Sequence, residues 1–542
     1  MDAVTAVPAP VNEPVRDYAP GSRERAELEA ALNDLDGVTH DLPHIIGGRR
    51  VTGSGPAIVV PQPHAHREIL GTMTSATTLE AAAAVDAAIA AAPGWRALSF
   101  DDRAAILLKA ADLLAGPWRA RINAATMLGQ SKTAYQAEID SACELIDFWR
   151  FNVHFARQIL SEQPPVNARG VWNRTDYRPL EGFVYAVTPF NFTAIAGNLP
   201  TAPALMGNTV VWKPSHSQQL AASLTMELLQ EAGMPPGVIN LVAGHGPEVS
   251  SVVLAHNEFA GLHFTGSTRV FHELWQQVGS NLANYRHYPR LVGETGGKDF
   301  IMAHPSAAPE VLRTALIRGA FDYQGQKCSA ASRAYVPSSL WRAIKDDLVD
   351  LTEALPMGDV RDFSNFMGAV IDERAFAKHK HAIDRARSTA HLSVVAGGTY
   401  DDRVGWFVRP TIVTTSDPTD EMLATEYFGP ILTVHVYPDR QYARVIDQME
   451  SFSPYALTGS ILAQDRTVIA AATEKLRFAA GNFYINDKPT GAVVGQQPFG
   501  GGRASGTNDK AGSAQNLLRW TSPRSIKETF VPPTRHEYPH MG

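Results

Sequence analysis

Cysteine is scarce in this chain, since Cys143 and Cys328 are the only two among 542 residues. Two thiols cannot build a disulfide framework, so the sequence excludes a small stapled scaffold and suits a reducing compartment. The histidines of His64-Ala65-His66 and His379-Lys380-His381 lack the spacing of zinc ligands. We therefore expect no metal site.

Basic runs and long apolar runs are missing as well. The formal net charge is −7 and no stripe of lysine or arginine stands out, which argues against a nucleic-acid partner. The alanine-rich run 80–93 is too short to cross a bilayer and contains an aspartate, so it indicates a buried helix and no membrane association. The first residues include Asp2, Glu13 and Asp17 and no signal-peptide pattern. We expect a flexible arm over residues 1–20 and a cytoplasmic protein.

The chain is too long for a single core, and its pattern from Gly182 onward is that of an α/β protein. Short apolar segments alternate with helical ones, as in a parallel sheet covered by helices on both faces. The predicted strands are 183–187, 209–213, 238–242 and 261–264, and the predicted helices between them are 194–205, 219–232 and 248–255. Ligands bind such sheets at the carboxyl ends of the strands. Polar residues and glycines follow each of these strands.

Apolar spacing predicts helices before this region and a second α/β region after it. One helical stretch runs from Leu79 to Leu114 with a break at Gly94, and one long helix runs from Lys132 to Ile159. The predicted strands of the second region are 300–302, 333–336, 407–413 and 431–436. Segments 163–179 and 520–531 indicate an exposed extended pair, which would seek a partner edge.

Cys328 is the strongest candidate for chemistry. It lies between Gly325 and Ala330 among small residues, without the periodicity of a core helix, so we expect an accessible thiol. Cys143 lies in an apolar helical pattern and is expected to be inert. Glu294 lies among glycines 34 residues before Cys328, which favours close approach to other groups. The pair can supply a nucleophile and a general base, although a lone glutamate is more often a cap or an ion-pair partner.

Seven motifs together resemble the aldehyde dehydrogenase superfamily in order and spacing, from about residue 40 to 530. They are 188–192 (TPFNF), 212–215 (WKPS), 244–246 (GHG), 264–267 (FTGS), 294–297 (ETGG), 325–328 (GQKC) and 426–430 (EYFGP). The resemblance implies an α/β fold with a Rossmann-type NAD-binding domain, an α/β catalytic domain and a small β flap for oligomerisation. The NAD-binding domain would comprise residues 21–160 and 180–295, and the catalytic domain residues 296–506. The flap would comprise residues 161–179 and 507–542.

The resemblance also assigns roles to residues of this chain. Cys328 is the implied nucleophile, Glu294 the implied base for a hydrolytic water, and Asn191 with the Cys328 N–H the implied oxyanion donors. The implied cofactor is NAD, held by Thr188, Pro189, Phe190, Lys213, Ser215, Gly246, Ser267, Gly296, Glu426 and Phe428. Many NAD-preferring relatives have a glutamate where this chain has His216, so the expected exclusion of NADP is weaker here.

Four further segments resemble the 1-pyrroline-5-carboxylate dehydrogenase branch of the superfamily, namely 136–140 (QAEID), 145–148 (LIDF), 491–499 (GAVVGQQPF) and 503–509 (RASGTND). They imply oxidation of L-glutamate 5-semialdehyde to L-glutamate in proline catabolism. The implied substrate residues are Glu144, Phe192, Lys327, Ser329, Gly491, Ala492 and Phe499. Some relatives have a serine at the Ala492 position, so one hydroxyl contact to the α-carboxylate is missing here.

Three other functions stay open on the sequence alone. Another aldehyde, such as succinate semialdehyde, could be the substrate, and kinetics with both aldehydes would decide. A reductive enzyme that uses an acyl phosphate needs no hydrolytic base, so Glu294 argues against it. A silent scaffold is at odds with Cys328, Asn191 and Glu294 occurring together. The implied assembly is a homo-oligomer, a dimer or higher, and the implied functional partner is a proline dehydrogenase.

Overall fold

The computed structural model describes residues 3–542 of the chain. Met1 and Asp2, which belong to the predicted arm, lie outside the described residues. Two seven-stranded sheets, each covered by helices, form the body of the molecule. The α/β class expected from the alternating pattern is therefore confirmed.

The first sheet has five parallel strands and an antiparallel edge of two more. In spatial order its strands are Arg290–Glu294, Phe259–Thr265, Phe183–Val187, Thr209–Lys213, Ile239–Leu241, His44–Ile46 and Arg49–Val51. The four strands predicted for this region are confirmed, with ends that differ by a few residues. Their carboxyl ends lie at one edge, which is where the polar residues and glycines follow them.

Helices cover both faces of this sheet and bury their apolar sides against it. They are Thr78–Ala97, Phe100–Ala115, Arg119–Gln130, Leu145–Ser161, Thr193–Leu205, Gln219–Ala232, Gly246–Val253 and Thr268–Ser280. The predicted break at Gly94 is wrong, because Gly94 lies inside the first of these helices. The break comes at Ser99, whose hydroxyl accepts a hydrogen bond from the Asp102 N–H and so begins the next helix.

The predicted long helix from Lys132 to Ile159 is continuous but not uniform. Residues Ala134–Ala137 are α-helical, Glu138–Glu144 form a π-helical segment, and Leu145–Ser161 are α-helical again. A π segment widens the helix and shifts the side chains that follow it, and such segments are frequent at functional sites. It brings acidic side chains of the helix into the interior of the molecule.

The second sheet follows in the chain. Its strands, in spatial order, are Leu392–Ala396, Thr411–Thr415, Ile431–Tyr437, Ala331–Pro337, Asp299–Ala303, Thr458–Leu462 and Asn482–Ile485. Its helices are Pro309–Phe321, Ser338–Ala354, Glu373–Ser388, Tyr442–Phe452 and Arg466–Lys475. The single strand predicted over 407–413 is wrong. Phe407–Val408 pairs with Tyr400–Asp401 in a separate small sheet, since Pro410 interrupts the segment and has no N–H for a ladder.

Smaller elements complete the molecule. Val171–Pro179 pairs antiparallel with Thr521–Thr529, as the two extended segments predicted. The remaining elements are the helices Arg23–Leu35 and Ala514–Leu518, the sheet of His40–Asp41, Ala57–Gln62 and Ala65–Thr74, and the pair Tyr455–Ala456 with Gly502–Arg503. Within residues 3–542, no helix combines the length and the apolar character needed to cross a membrane.

The N-terminal arm lies against the body of the molecule. Residues 3–18 form no helix or strand. Tyr18 is nevertheless buried, and its hydroxyl donates a hydrogen bond to the Glu138 carboxylate at 2.7 Å. The arm is thus held by specific contacts to the π-helical segment.

Candidate active site

Two large cavities meet at Cys328. The first has a volume of about 760 Å³ and lies at the carboxyl ends of the strands of the first sheet. The second has a volume of about 860 Å³ and lies between the long helix and the loops after the second sheet. Within the described chain, Cys328 is the only residue that lines both cavities. A group bound in either cavity can therefore reach its thiol.

All ten residues expected to hold the cofactor line the first cavity. Thr188, Pro189 and Phe190 follow one strand directly, while Gly246 begins a helix that no side chain caps. The N–H groups of that first helical turn can therefore receive a phosphate. Burial lowers the pKa of Lys213 to about 8, and the only hydrogen bond of its side-chain nitrogen within residues 3–542 is a long one of 3.4 Å to the Pro214 carbonyl. The ammonium group is free for hydroxyl or phosphate oxygens.

The other end of the first cavity is built around Glu426. Its carboxylate accepts a hydrogen bond from the Gly297 N–H at 2.8 Å. A side chain at Gly296 would collide with this carboxylate, since a Cβ there would lie 2.4 Å from it. Phe428 has a left-handed backbone with a φ of 60°, and its ring packs edge-on against Phe190 at 5.8 Å. The predicted ring and ribose contacts thus lie next to Cys328.

Basic side chains surround His216 in the same cavity. Burial lowers the pKa of His216, and the nearby charges of Lys213 and Arg374 lower it further, against the opposing effect of Asp372. His245 and Arg374 line this part of the cavity too. Sequence reasoning missed these two because they come from separate elements, and no pattern in the sequence joins them to His216.

Cys328 follows a strained turn. Tyr323, Gln324 and Gly325 all have left-handed backbones, with φ angles of 50°, 54° and 65°. Such a turn persists only where its surroundings fix it, and the Gln324 amide donates to the carbonyls of Ser131 and Ala369 at 2.9 and 2.7 Å. The strand Ala331–Pro337 begins three residues after the cysteine. The thiol is therefore fixed between a locked turn and a sheet.

The Cys328 thiol is half-buried. Burial raises its pKa well above the usual range, and the carboxylates of Asp299 and Glu294 add to this effect. The thiol is therefore protonated at neutral pH. The Asn191 amide donates to the Gln326 carbonyl at 3.0 Å, which holds this amide close to the turn. The Cys328 N–H makes no hydrogen bond to any group of residues 3–542 and stays free to bind an oxygen.

Glu294 ends the strand Arg290–Glu294 but lines neither cavity among the described residues. Its carboxylate lies against Gly500, where an added Cβ would be 2.8 Å from Oε1, and Oε2 is buried without a partner in residues 3–542. Burial raises its pKa well above the usual range, while the charge of Lys510 opposes the shift. Cys328 and Asn191 thus line the cavity in which the reaction would occur, whereas Glu294 lies behind the cavity wall.

All seven residues expected to contact the substrate line the second cavity. The Ser329 hydroxyl is hydrogen-bonded to that of Thr490 at 2.7 Å, and both are buried. Gly491 and Ala492 follow Thr490 directly, in a loop without helix or strand. The hydroxyl pair and the loop form one polar end of this cavity. Thr490 was missed, although its place before Gly491 was a usable signal.

Buried ionisable groups lie in the wall of the second cavity and directly behind it. Burial raises the pKa of Glu144 to about 8, with a further contribution from Asp140. Lys132 pairs with Asp140 and lies over the Phe192 ring, with its nitrogen 4.0 Å from the ring centre. Burial lowers the pKa of Lys327 to about 8. Charges of both signs fit a substrate that carries both a carboxylate and an amine.

No group of three or more histidine, cysteine or acidic side chains within residues 3–542 is arranged to hold a metal ion. Cys143 is buried as expected, but its neighbours are charged. The Arg119 guanidinium lies 3.5 Å from its sulfur, and burial raises its pKa far above the usual range. A thiol that stays protonated in this way is a poor nucleophile.

The chain is similar to a known protein family and to solved structures along almost its whole length. The model of the aldehyde dehydrogenase family matches residues 51–526. The structure of a Delta-pyrroline-5-carboxylate dehydrogenase from Mycobacterium tuberculosis bound with NAD is 63% identical, has a TM-score of 0.97 and is matched over 100% of both chains. The Delta-1-pyrroline-5-carboxylate dehydrogenase, mitochondrial, of Danio rerio is 49% identical over 98% of this chain and 95% of its own length.

A third relative is a larger protein. The structure of proline utilization A from Bdellovibrio bacteriovorus is 29% identical, with a TM-score of 0.91. The match covers 96% of this chain and 53% of that one. This chain is thus similar to about half of that protein.

Proposed function

Because the chain belongs to the aldehyde dehydrogenase family, we infer that it oxidises L-glutamate 5-semialdehyde to L-glutamate with NAD. The semialdehyde is the open form of 1-pyrroline-5-carboxylate, so the reaction belongs to proline catabolism. The relatives from Danio rerio and Mycobacterium tuberculosis, which match along almost the whole chain, are named for pyrroline-5-carboxylate. The observation that carries the assignment to particular residues is that Cys328 joins the two cavities.

Cys328 begins the reaction as nucleophile. The thiol loses its proton to a water molecule, its sulfur attacks the aldehyde carbon, and the carbonyl oxygen becomes an oxyanion. The Asn191 amide and the Cys328 N–H stabilise this oxyanion, and losing one such donor generally costs about 2.7–4 kcal/mol of barrier stabilisation. The strained turn before Cys328 holds both donors in place before the substrate arrives.

The first cavity fits NAD. Its volume of about 760 Å³ lies within the roughly 300–1,000 Å³ of small-molecule sites. Gly246 and Ser267 would hold the pyrophosphate, Lys213 and Ser215 the adenosine ribose, and Glu426 the nicotinamide ribose. NAD bound there would supply hydride-accepting chemistry beside Cys328, and the substrate carbon would then be held on the sulfur as a thioester.

Glu294 serves the second half of the reaction. Its carboxylate must turn from Gly500 towards Cys328, where it accepts a proton from a water molecule. The oxygen of that water adds to the thioester carbon, the sulfur leaves, and the product is a carboxylate. The raised pKa of Glu294 makes it a stronger base than an exposed glutamate.

The second cavity recognises the rest of the substrate. The backbone N–H groups of Gly491 and Ala492, with the Ser329 hydroxyl, bind the α-carboxylate, and Lys327 adds a positive charge nearby. Phe192 and Phe499 contact the aliphatic chain on two sides. Glu144 faces the amine, and an ammonium group beside it would favour its ionised form.

We also propose that the chain works in the cytoplasm, as a homo-oligomer of two or more copies. Two unpaired cysteines fit a reducing compartment. The exposed strand pair Val171–Pro179 and Thr521–Thr529 supports oligomerisation. A proline dehydrogenase would supply the precursor of the substrate, and the similarity to half of a proline utilization A protein supports this functional link.

The matched pair Cys328→Ala and Cys143→Ala tests the assignment. NADH formation is followed by absorbance with three substrates: L-glutamate 5-semialdehyde, succinate semialdehyde and propanal. Wild type and Cys143→Ala should prefer glutamate semialdehyde, and Cys328→Ala should form no NADH while it still binds NAD. Turnover by Cys328→Ala, or a preference of wild type for succinate semialdehyde, would contradict the proposal.

A further inference from the structure

Residues 12–18 of the N-terminal arm, here called the strap, lie along the long helix, and Asn12 at their start contacts the loop of residues 491–497. Three strap residues, Asn12, Glu13 and Val15, line the second cavity together with that loop. The strap thus forms part of the wall of the cavity that is proposed to bind the substrate. Nothing in the local sequence of the arm indicates this contact.

Asn12 joins the two sides. Its amide nitrogen donates to the Asp147 carboxylate on the long helix and to the Val494 carbonyl in the loop, both at 2.8 Å. Its amide oxygen accepts a hydrogen bond from the Gln496 side chain at 3.0 Å. One side chain therefore makes two hydrogen bonds to the loop and one to the helix.

The strap itself is firmly anchored. The Glu13 N–H donates to Asp147 at 2.7 Å, and the Glu13 carboxylate pairs with Arg119 and Arg150. Arg119 is buried and also donates to the Pro14 carbonyl at 2.8 Å. Charge-assisted hydrogen bonds of this kind are stronger than neutral ones. The strap is a fixed support.

The loop has little structure of its own. It contains no helix or strand, and its glycines Gly491 and Gly495 have left-handed backbones with φ angles of 101° and 82°. Its internal hydrogen bonds join Val493 to Gln496 and Gln497. Contacts from outside the loop, such as those to Val494 and Gln496, therefore contribute to its conformation.

We propose that the strap is a positioning element for the substrate, and that Asn12 holds the 491–497 loop so that its N–H groups meet the α-carboxylate. This inference rests on the proposed function, which assigns that carboxylate to the loop. Asn12 is a positioning residue, since it acts through the loop. Its loss should weaken recognition of the carboxylate and leave the chemistry at Cys328 unchanged.

The variant Asn12→Ala removes all three hydrogen bonds of that side chain. We expect the KM for glutamate semialdehyde to rise about tenfold, with kcat and the KM for propanal close to wild type. Asn12→Asp keeps the size of the side chain but places a carboxylate oxygen against the Val494 carbonyl and the Asp147 carboxylate. The KM for glutamate semialdehyde should therefore rise at least as much as in Asn12→Ala. Thr5→Ala is the matched control, because Thr5 lies on the same arm, bonds Asp101 at 2.6 Å and lines neither cavity.

Hydrogen–deuterium exchange supplies a readout that does not depend on turnover. The amides of the 491–497 loop should exchange faster in Asn12→Ala than in wild type or Thr5→Ala. Unchanged exchange in the loop, or an equal rise of KM for both aldehydes, would overturn the proposal. If wild type does not oxidise the semialdehyde, the proposed function fails, and the carboxylate role of the strap fails with it, while the exchange rates still show whether Asn12 holds the loop.

Discussion

Burial raises the pKa of both the Cys328 thiol and the Glu294 carboxyl group well above their usual ranges. The thiol must therefore lose its proton when it attacks, and the carboxyl group acts as a base only in its ionised form. The two groups lie in separate layers, since Cys328 lines the cavities and Glu294 lies behind them against Gly500. The two steps of the reaction can thus use different side chains in turn.

Glu294→Gln should separate the two steps. The glutamine cannot take a proton from water, so the thioester should form and then persist. Rapid mixing with the semialdehyde and NAD should show a burst of NADH close to one per active site, followed by a slow steady state. A missing burst would mean that Glu294 is needed earlier, for example to remove the thiol proton.

His216 should set the choice between NAD and NADP. Lys213 and Arg374 lie near it, and their positive charges attract the 2′-phosphate that distinguishes NADP from NAD. His216→Glu should add a repelling negative charge and widen the preference for NAD, measured as the ratio of the kcat/KM values for the two cofactors. An unchanged ratio would show that this position does not contact the adenosine ribose.

Among the elements, the long helix carries the carboxyl group of Glu144, whose ionisation lowers the stability of the folded chain. Burial raises the pKa of Glu144 to about 8, so the folded chain holds this proton more tightly than the unfolded chain. Stability is then lost as pH rises from about 4 to about 8, because the folded state must ionise a buried group or keep a proton that the unfolded state releases.

Glu144→Gln removes this loss. The variant should match wild type near pH 4 and exceed it above pH 8, by up to about 5 kcal/mol in the free energy of unfolding. Thermal or urea unfolding of both proteins over this pH range measures the difference. A difference that does not grow with pH would show that Glu144 ionises freely in the folded chain.

The regular elements could be predicted because local signals define them. The strands Phe183–Val187 and Thr209–Lys213 are short apolar runs that end at polar residues, and they were predicted within a residue of their ends. Gly94 misled the prediction, since a glycine in a helix costs only about 1 kcal/mol while the capping serine Ser99 ends the pattern.

The contacts of the site could be predicted only in part. Motifs predicted residues that line both cavities, and the motifs at 188–192, 212–215 and 264–267 lie at the carboxyl ends of strands, where ligands bind. Arg374 and Asn12 were missed, since their roles depend on elements that meet only in the folded chain. The position of Glu294 behind the cavity wall likewise depends on packing against Gly500, which no local pattern records.

At the scale of the whole molecule, the flap of Val171–Pro179 and Thr521–Thr529 is the candidate contact between copies. Trp172 is 47% exposed on it, and Phe530 directly after it is 60% exposed. The double variant Trp172→Asp and Phe530→Asp should shift the protein to a smaller species in light scattering coupled to gel filtration. Tyr288→Asp is the control, since Tyr288 is 84% exposed and is not part of the flap. An unchanged mass for the double variant would place the interface elsewhere.

The central claim is that the semialdehyde becomes a thioester on Cys328, and trapping that thioester tests it most directly. Glu294→Gln is mixed with the semialdehyde and NAD, quenched in acid, and analysed by intact mass and peptide mapping. We predict one γ-glutamyl group per chain, on the peptide that contains Cys328, and none in the double variant with Cys328→Ala. An adduct on Cys143, or NADH formation without any adduct, would contradict the account.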